Sequence, residues 1–144
     1  MTQTLSEPDA SMMAPIGRLA RFMAGGPEDL ATIYASAGVI ILDNHPPFAF
    51  VGVDAVETWA RRLFESHPGY VDLVHQFGPA QDFQHLDERV YFSLPTTWTW
   101  RRAKRAFHET GGWAFVLRIE NDAWRVESHG WAVTSYTVLP PNVV

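Results

Sequence analysis

The sequence predicts an α+β domain in which helices near the N-terminal end cover a strongly bent antiparallel sheet. Apolar residues recur at helical spacing as far as Phe64, and the pattern changes to a two-residue alternation after Tyr70. A Gly111-Gly112 pair lies inside a long strand-like run, which points to a bulge or sharp bend in the sheet. The 144 residues suit one domain, and a chain of this size buries roughly two-thirds of the surface its unfolded form exposes.

Met1 to Ser11 is polar, contains Glu7-Pro8-Asp9 and shows no hydrophobic period. Residues 1–11 are therefore expected to form a disordered tail, leaving 12–144 as a single domain. From Pro15 to Ala24, Ile16, Leu19, Ala20 and Met23 fall on one helical face, and Gly25-Gly26 ends the helix. Pro27 is suited to open a second short helix, with Glu28 and Asp29 at its positive end and Leu30, Ile33 and Tyr34 facing inward.

Val39 to Leu42 reads as a buried strand, stopped by Asp43-Asn44-His45-Pro46-Pro47. A third helix follows Gly52, with Val56, Trp59, Ala60, Leu63 and Phe64 as its stripe and His67-Pro68-Gly69 as its close. Beyond Tyr70, Val71, Leu73, His75 and Phe77 share one strand face. Turn residues at Gly78-Pro79, Asp87-Glu88, Arg101 to Arg105 and Asn121-Asp122 divide the remainder into about four antiparallel strands joined as a meander. Such a sheet leaves a concave face, closed by the helices, where a small apolar ligand fits.

Composition narrows the function classes. A formal net charge of −5 provides no field for nucleic acid, and the Arg101-Arg102-Ala103-Lys104-Arg105 run reads as a solvated hairpin tip. There is no cysteine, which removes disulfides, thiolate metal sites and a cysteine nucleophile. The six histidines form no HExxH motif or tight histidine–carboxylate cluster, so neither a metal nor another cofactor is expected. No signal peptide or membrane-spanning run is evident, and a cytoplasmic location without membrane association is expected.

Local wording adds a resemblance. It lies in Ile33-Tyr34-Ala35 before Val39-Ile40-Ile41-Leu42-Asp43, in Pro47-Phe48-x-Phe50-x-Gly52, in Gly112-Trp113-Ala114-Phe115-Val116-Leu117-Arg118 and in Asn121-Asp122-x-Trp124-Arg125-Val126. In this order they resemble the nuclear-transport-factor-2-like superfamily, in particular its SnoaL-like branch of polyketide cyclases and ketosteroid isomerases, over about residues 12 to 138. The resemblance implies a cone-shaped α+β barrel with an internal pocket, often homodimeric through the outer sheet face. It implies no single activity, because the superfamily spans isomerases, cyclases, dehydratases, epoxide hydrolases and non-catalytic proteins.

Asp43 is the leading catalytic candidate. It follows a buried strand, lies near the aspartate base of the isomerases, and would act as a general base if burial raised its pKa. The other reading has Asp43 capping its own turn. His75, in phase with Val71, Leu73 and Phe77, is its candidate acid–base partner, whereas His45 reads as a solvated loop histidine. A steroid-isomerase mechanism is disfavoured, because Leu19 and Phe22 stand where the first helix would need an oxyanion-stabilising tyrosine.

Ligand-lining candidates are Phe22, Tyr34 and Trp59 from the helical half, and Trp98, Trp113 and Ser128 from the sheet. In the last strand the resemblance implies that the Trp124 face points inward. Strict alternation would then put Ser128, Gly130 and Ala132 in the pocket, and His129 and Trp131 outside at a dimer interface. The expected function is acid–base chemistry on a small, mostly apolar molecule; the alternatives are a ligand-binding module and a dimeric interaction domain.

Overall fold

The computed structural model describes residues 6–139. Helix α1 (Ala10–Met23) is followed by a single 3-10 turn (Leu30–Thr32), strands β1 (Ile40–Leu42) and β2 (Ala49–Val51), and helix α2 (Ala55–Ser66). Five strands complete the chain: β3 (Val71–Phe77), β4 (Gln81–Leu86), β5 (Arg89–Arg102), β6 (Arg105–Glu120) and β7 (Ala123–Leu139).

Helix α1 starts five residues before the expected Pro15, inside the segment read as a tail. Asp9 caps it, its carboxylate accepting the Met12 backbone N–H at 3.0 Å. Pro15 deprives the Ser11 carbonyl of its helical partner, in a first turn where Ser11 is exposed to solvent. The rest of the expected tail, residues 1–5, and the last five residues of the expected domain lie outside the described residues. Pro27 opens no helix: only the 3-10 turn forms, capped by Asp29, and it leaves Ile33 and Tyr34 buried as anticipated.

The sheet runs β2-β1-β7-β6-β5-β3, with β4 also on β5. It is mixed rather than purely antiparallel, because β1 pairs parallel to β7 with Ile41 opposite His129. It is strongly curved and does not close into a barrel. Nor do β3 and β4 continue a meander: both pair with β5, β4 along Arg89–Ser93 and β3 along Thr96–Arg101. Pro95 falls in the gap between them, where a missing N–H leaves no ladder bond unmade; its carbonyl accepts the Gly78 N–H at 2.8 Å.

Strand β5 keeps a strict alternation, burying Val90, Phe92, Leu94, Thr96, Trp98 and Trp100 against the helices. On β6 the inward positions are Phe107, Glu109, Trp113, Phe115 and Leu117. The anticipated bend at Gly111 is present. The register with β7 shifts between Thr110 and Gly111, and a Cβ on Gly111 would lie 2.2 Å from the Ala132 carbonyl oxygen. A second shift has a larger consequence: Leu117 pairs with Val126 but Val116 pairs with Ser128, so Glu127 is an extra residue in β7.

Candidate functional site

The bulge at Glu127 overturns the expected parity of β7. Val126 points into the core as anticipated, but beyond the extra residue the inward positions are His129 and Trp131. His129 is 1% exposed, with Trp59, Trp113 and Phe115 around its ring, and Tyr34 Oη lies 2.8 Å from its Nε2. Burial lowers its pKa to about 3, so the imidazole is neutral throughout the physiological range. The same burial holds the Tyr34 hydroxyl well above its ordinary value, with the Asp43 charge adding to the effect. Ser128 faces the other way and donates its hydroxyl to the Ile40 carbonyl at 2.7 Å.

A cavity of about 330 Å³ opens between the ends of α1 and α2 and the inner face of β5, β6 and β7. Its walls are mainly aromatic: Tyr70, Trp98, Trp100, Trp113 and Trp131, with Leu63, Phe64 and Leu73 beside them. Trp100 stacks on Phe107 at 5.5 Å and on Tyr70 at 5.1 Å, while Trp113 packs on Trp131 at 5.0 Å. Polar chemistry comes from Asp43, Asn44, His67, Asp72 and Glu109, and no lysine or arginine lines the space.

Asp43 reaches the cavity because β1 ends there and the chain reverses toward β2, with the Asp43 N–H on the Phe48 carbonyl at 3.0 Å. Its carboxylate is 5% exposed. Oδ1 accepts the Asn44 N–H at 2.7 Å and Oδ2 accepts the Trp59 indole N–H at 2.8 Å. The two readings of Asp43 therefore meet in one side chain, which both caps its turn and forms part of the cavity wall. His45 is buried rather than solvated, at 4% exposure, with both ring nitrogens unpartnered. At 3.7 Å from Asp43 Oδ2 its Nδ1 is too far for a hydrogen bond, and desolvation lowers its pKa despite the nearby carboxylate.

The sequence reading passed over two cavity residues. Glu109 projects inward from β6 and accepts the Trp131 indole N–H at 2.9 Å. Desolvation pushes its carboxyl above the ordinary range, opposed by the Trp131 bond and the nearby His67 and reinforced by the Asp43 charge. Its signal in the sequence was a lone carboxylate in phase with Phe107, Trp113 and Phe115. His67, read only as part of a helix terminator, lies across the C-terminal end of α2. Its Nδ1 donates to the Leu63 carbonyl at 2.7 Å, which leaves Nε2 as the acceptor of the neutral ring.

Of the sequence candidates, Asp43, Trp98 and Trp113 line the cavity. Trp59 is wholly buried behind Asp43, and Phe22 packs against Trp59 and Phe64 outside the lining. Tyr34 belongs to the His129 pair. His75 does not meet Asp43; it sits against Phe77 and Trp98 at ring distances of 4.4 and 5.7 Å, its pKa lowered by burial and then by Arg21. Among the described residues, no group of three or more His, Asp or Glu is placed to hold a metal ion. A second space of about 790 Å³, along the 3-10 turn, β1, β2 and α2, contains no histidine, aspartate or tryptophan.

No family model and no curated protein matches the sequence. Solved structures do match the fold. A hexachlorocyclohexane dehydrochlorinase superposes with a TM-score of 0.73 at 9% identity, covering 91% of this chain and 88% of that one. A nuclear transport factor 2-like superfamily protein from Salmonella enterica matches with a TM-score of 0.67 at 13% identity, over 84% and 87%. A ketosteroid isomerase-like protein from Erwinia carotovora gives 0.67 at 19% identity, over 91% and 99%.

Proposed function

We propose that this chain, which has the nuclear-transport-factor-2-like fold, is a cofactor-independent enzyme that moves a proton on a small, mostly apolar molecule held in the aromatic cavity. The observation that carries the reading is Asp43: an almost fully buried carboxylate on the wall of a space large enough for an organic molecule. Its two N–H donors leave lone pairs free on both oxygens, so it accepts a proton from substrate carbon while held in one orientation. Glu109, its carboxyl raised by burial, supplies the acid on the other side of the reaction by protonating a carbonyl or a departing oxygen. His67 Nε2 is a second acceptor at the same cavity and takes the place first assigned to His75. Elimination and isomerisation both need this pairing, and two of the structural neighbours have names of that kind.

The test is solvent exchange. β-Hydroxy ketones and β,γ-unsaturated ketones incubated with the protein in D2O gain deuterium at the acidic carbon, followed by NMR. Asp43→Asn slows this by about a hundredfold or more, the scale of a lost general base. Full exchange activity in Asp43→Asn would remove the residue from the mechanism.

A non-catalytic binding module is the second reading. It is favoured by the fact that both Asp43 oxygens already hold structural donors. Under it, ligand affinity survives Asp43→Asn and no exchange occurs. We also propose that two copies pair through the outer sheet face, where Tyr91, Ala114 and Val116 stand on the side away from the helices. Sedimentation of Val116→Arg tests this, since a dimer becomes a monomer if that face is the interface.

A further inference from the structure

The cavity concentrates negative charge and aromatic surface, with no lysine or arginine in its lining; His67, the one histidine there, only partly opposes the rise at Glu109. Asp43 and Glu109 are each held by one indole N–H, from Trp59 and Trp131, and neither has a lysine or arginine partner. Buried carboxylates without counter-charge are costly, and the upward shift of Glu109 registers that cost. The Arg102 guanidinium sits 5.9 Å from the ring centroid of Tyr70 and is not part of the lining. His45, beside Asp43, is held toward its neutral form by desolvation.

A third feature is independent of the carboxylates. Trp100 forms part of the cavity wall, while its Nε1–H is enclosed and has no hydrogen-bond partner. Trp98, Trp113 and Trp131 complete a set of rings of the kind that holds organic ammonium groups by cation–π attraction.

We infer that the cavity takes an organic cation: an ammonium group seated among the tryptophans between Asp43 and Glu109, on a compact apolar body. The inference rests on the reading of this cavity as the substrate site and narrows the substrate to amines or quaternary ammonium compounds. The ligand supplies positive charge, and desolvating an ammonium is offset by Asp43, by Glu109 as it ionises beside the cation, and by the ring faces. A neutral molecule of the same shape meets the same walls without that compensation.

The experiment uses the intact protein and tryptophan fluorescence or calorimetry. The probes are benzyltrimethylammonium, its uncharged isostere neopentylbenzene, and phenylacetate. The cation is expected to bind at least about tenfold more tightly than the isostere, with phenylacetate unbound. Glu109→Gln, which keeps the shape but cannot ionise beside the ammonium, should weaken that preference and leave neopentylbenzene binding unchanged. Because the preference is read first on the unaltered protein, a poorly folding variant does not obscure the result. Equal binding of cation and isostere would overturn the charge assignment while leaving the proton-transfer reading to its own deuterium test. Failure of the cation to bind at millimolar concentration would likewise overturn the charge assignment, and the deuterium test would still decide the proton-transfer reading.

Discussion

The indole N–H of Trp59 donates to Asp43 Oδ2 at 2.8 Å, tying the middle of α2 to the residue that ends β1. The bond holds Oδ2 toward α2 while Oδ1 takes the Asn44 N–H, and it joins two residues 16 apart in the chain. Trp59→Phe keeps most of the ring and removes only the donor. It should cost about 1–3 kcal/mol, the penalty for leaving a buried carboxylate oxygen short of a partner. Urea unfolding measures the loss, and deuterium exchange shows whether the freed carboxylate still accepts a proton.

The close approach at Gly111 gives a sharper structural test. A methyl there meets the Ala132 carbonyl at 2.2 Å and the Trp131 ring at 2.8 Å, and neither can move without shifting β7. Gly111→Ala is expected to destabilise the fold by about 1–3 kcal/mol or more. Gly112→Ala has open space and should be nearly silent by comparison. The two urea midpoints, measured side by side, decide it.

His129 sets an acid limit on stability. Its pKa falls from 6.5 to about 3 on folding, so between those values the unfolded chain holds a proton that the folded chain refuses. Stability from this residue is complete above pH 6.5 and is lost as pH falls, by up to about 1.4 kcal/mol per pH unit. His129→Phe should flatten the dependence in thermal melts between pH 6.5 and 4. An unchanged slope would mean that another group governs acid unfolding.

Glu109 acts in the opposite sense. Its folded pKa lies above the ordinary 4.5, so the folded state binds the proton more tightly and stability falls as pH rises from 4.5 through the raised value. Wild type minus Glu109→Gln isolates this contribution, because His129 is common to both proteins. The difference should move in favour of the variant as pH rises.

Ser128 separates the two faces of β7. Ser128→Ala removes a hydroxyl that bonds the Ile40 carbonyl and should cost about 0.5–1.5 kcal/mol by urea unfolding. Probe affinity in the cavity should not change, since Ser128 points away from it.

Much of the architecture was legible along the chain. Helical spacing marked α1 and α2, alternation marked β5 and β6, and Gly111-Gly112 marked the bend. Misreadings clustered where a local signal has two uses. Pro15 reads as a helix start, but the stronger Asp9 cap placed the start earlier. His45 sits in a loop of prolines, yet Phe50 covers its ring at 5.3 Å. Glu109 was visible as a carboxylate on an apolar face, but only contact with Trp131 gives it a partner.

The sequence by itself determined the fold class, the inward aromatic face of β5 and β6, and Asp43 as the acidic residue that follows β1, although Ile40 and Leu42 are exposed and only Ile41 of the strand is buried. These follow from side-chain period and local turn chemistry, which act over a few neighbouring residues. Tertiary structure alone decided which side of β7 lines the cavity, that β1 joins it in parallel, and that Glu109 and His67, not His75, share the space with Asp43. One extra residue at Glu127 reverses the side chains after it until a second extra residue, Thr134, restores the phase, and nothing in the residues around Glu127 announces that bulge. It is set by pairing with the preceding strand β6 and with β1, which is far away in the chain, and such pairings exist only once the sheet has formed.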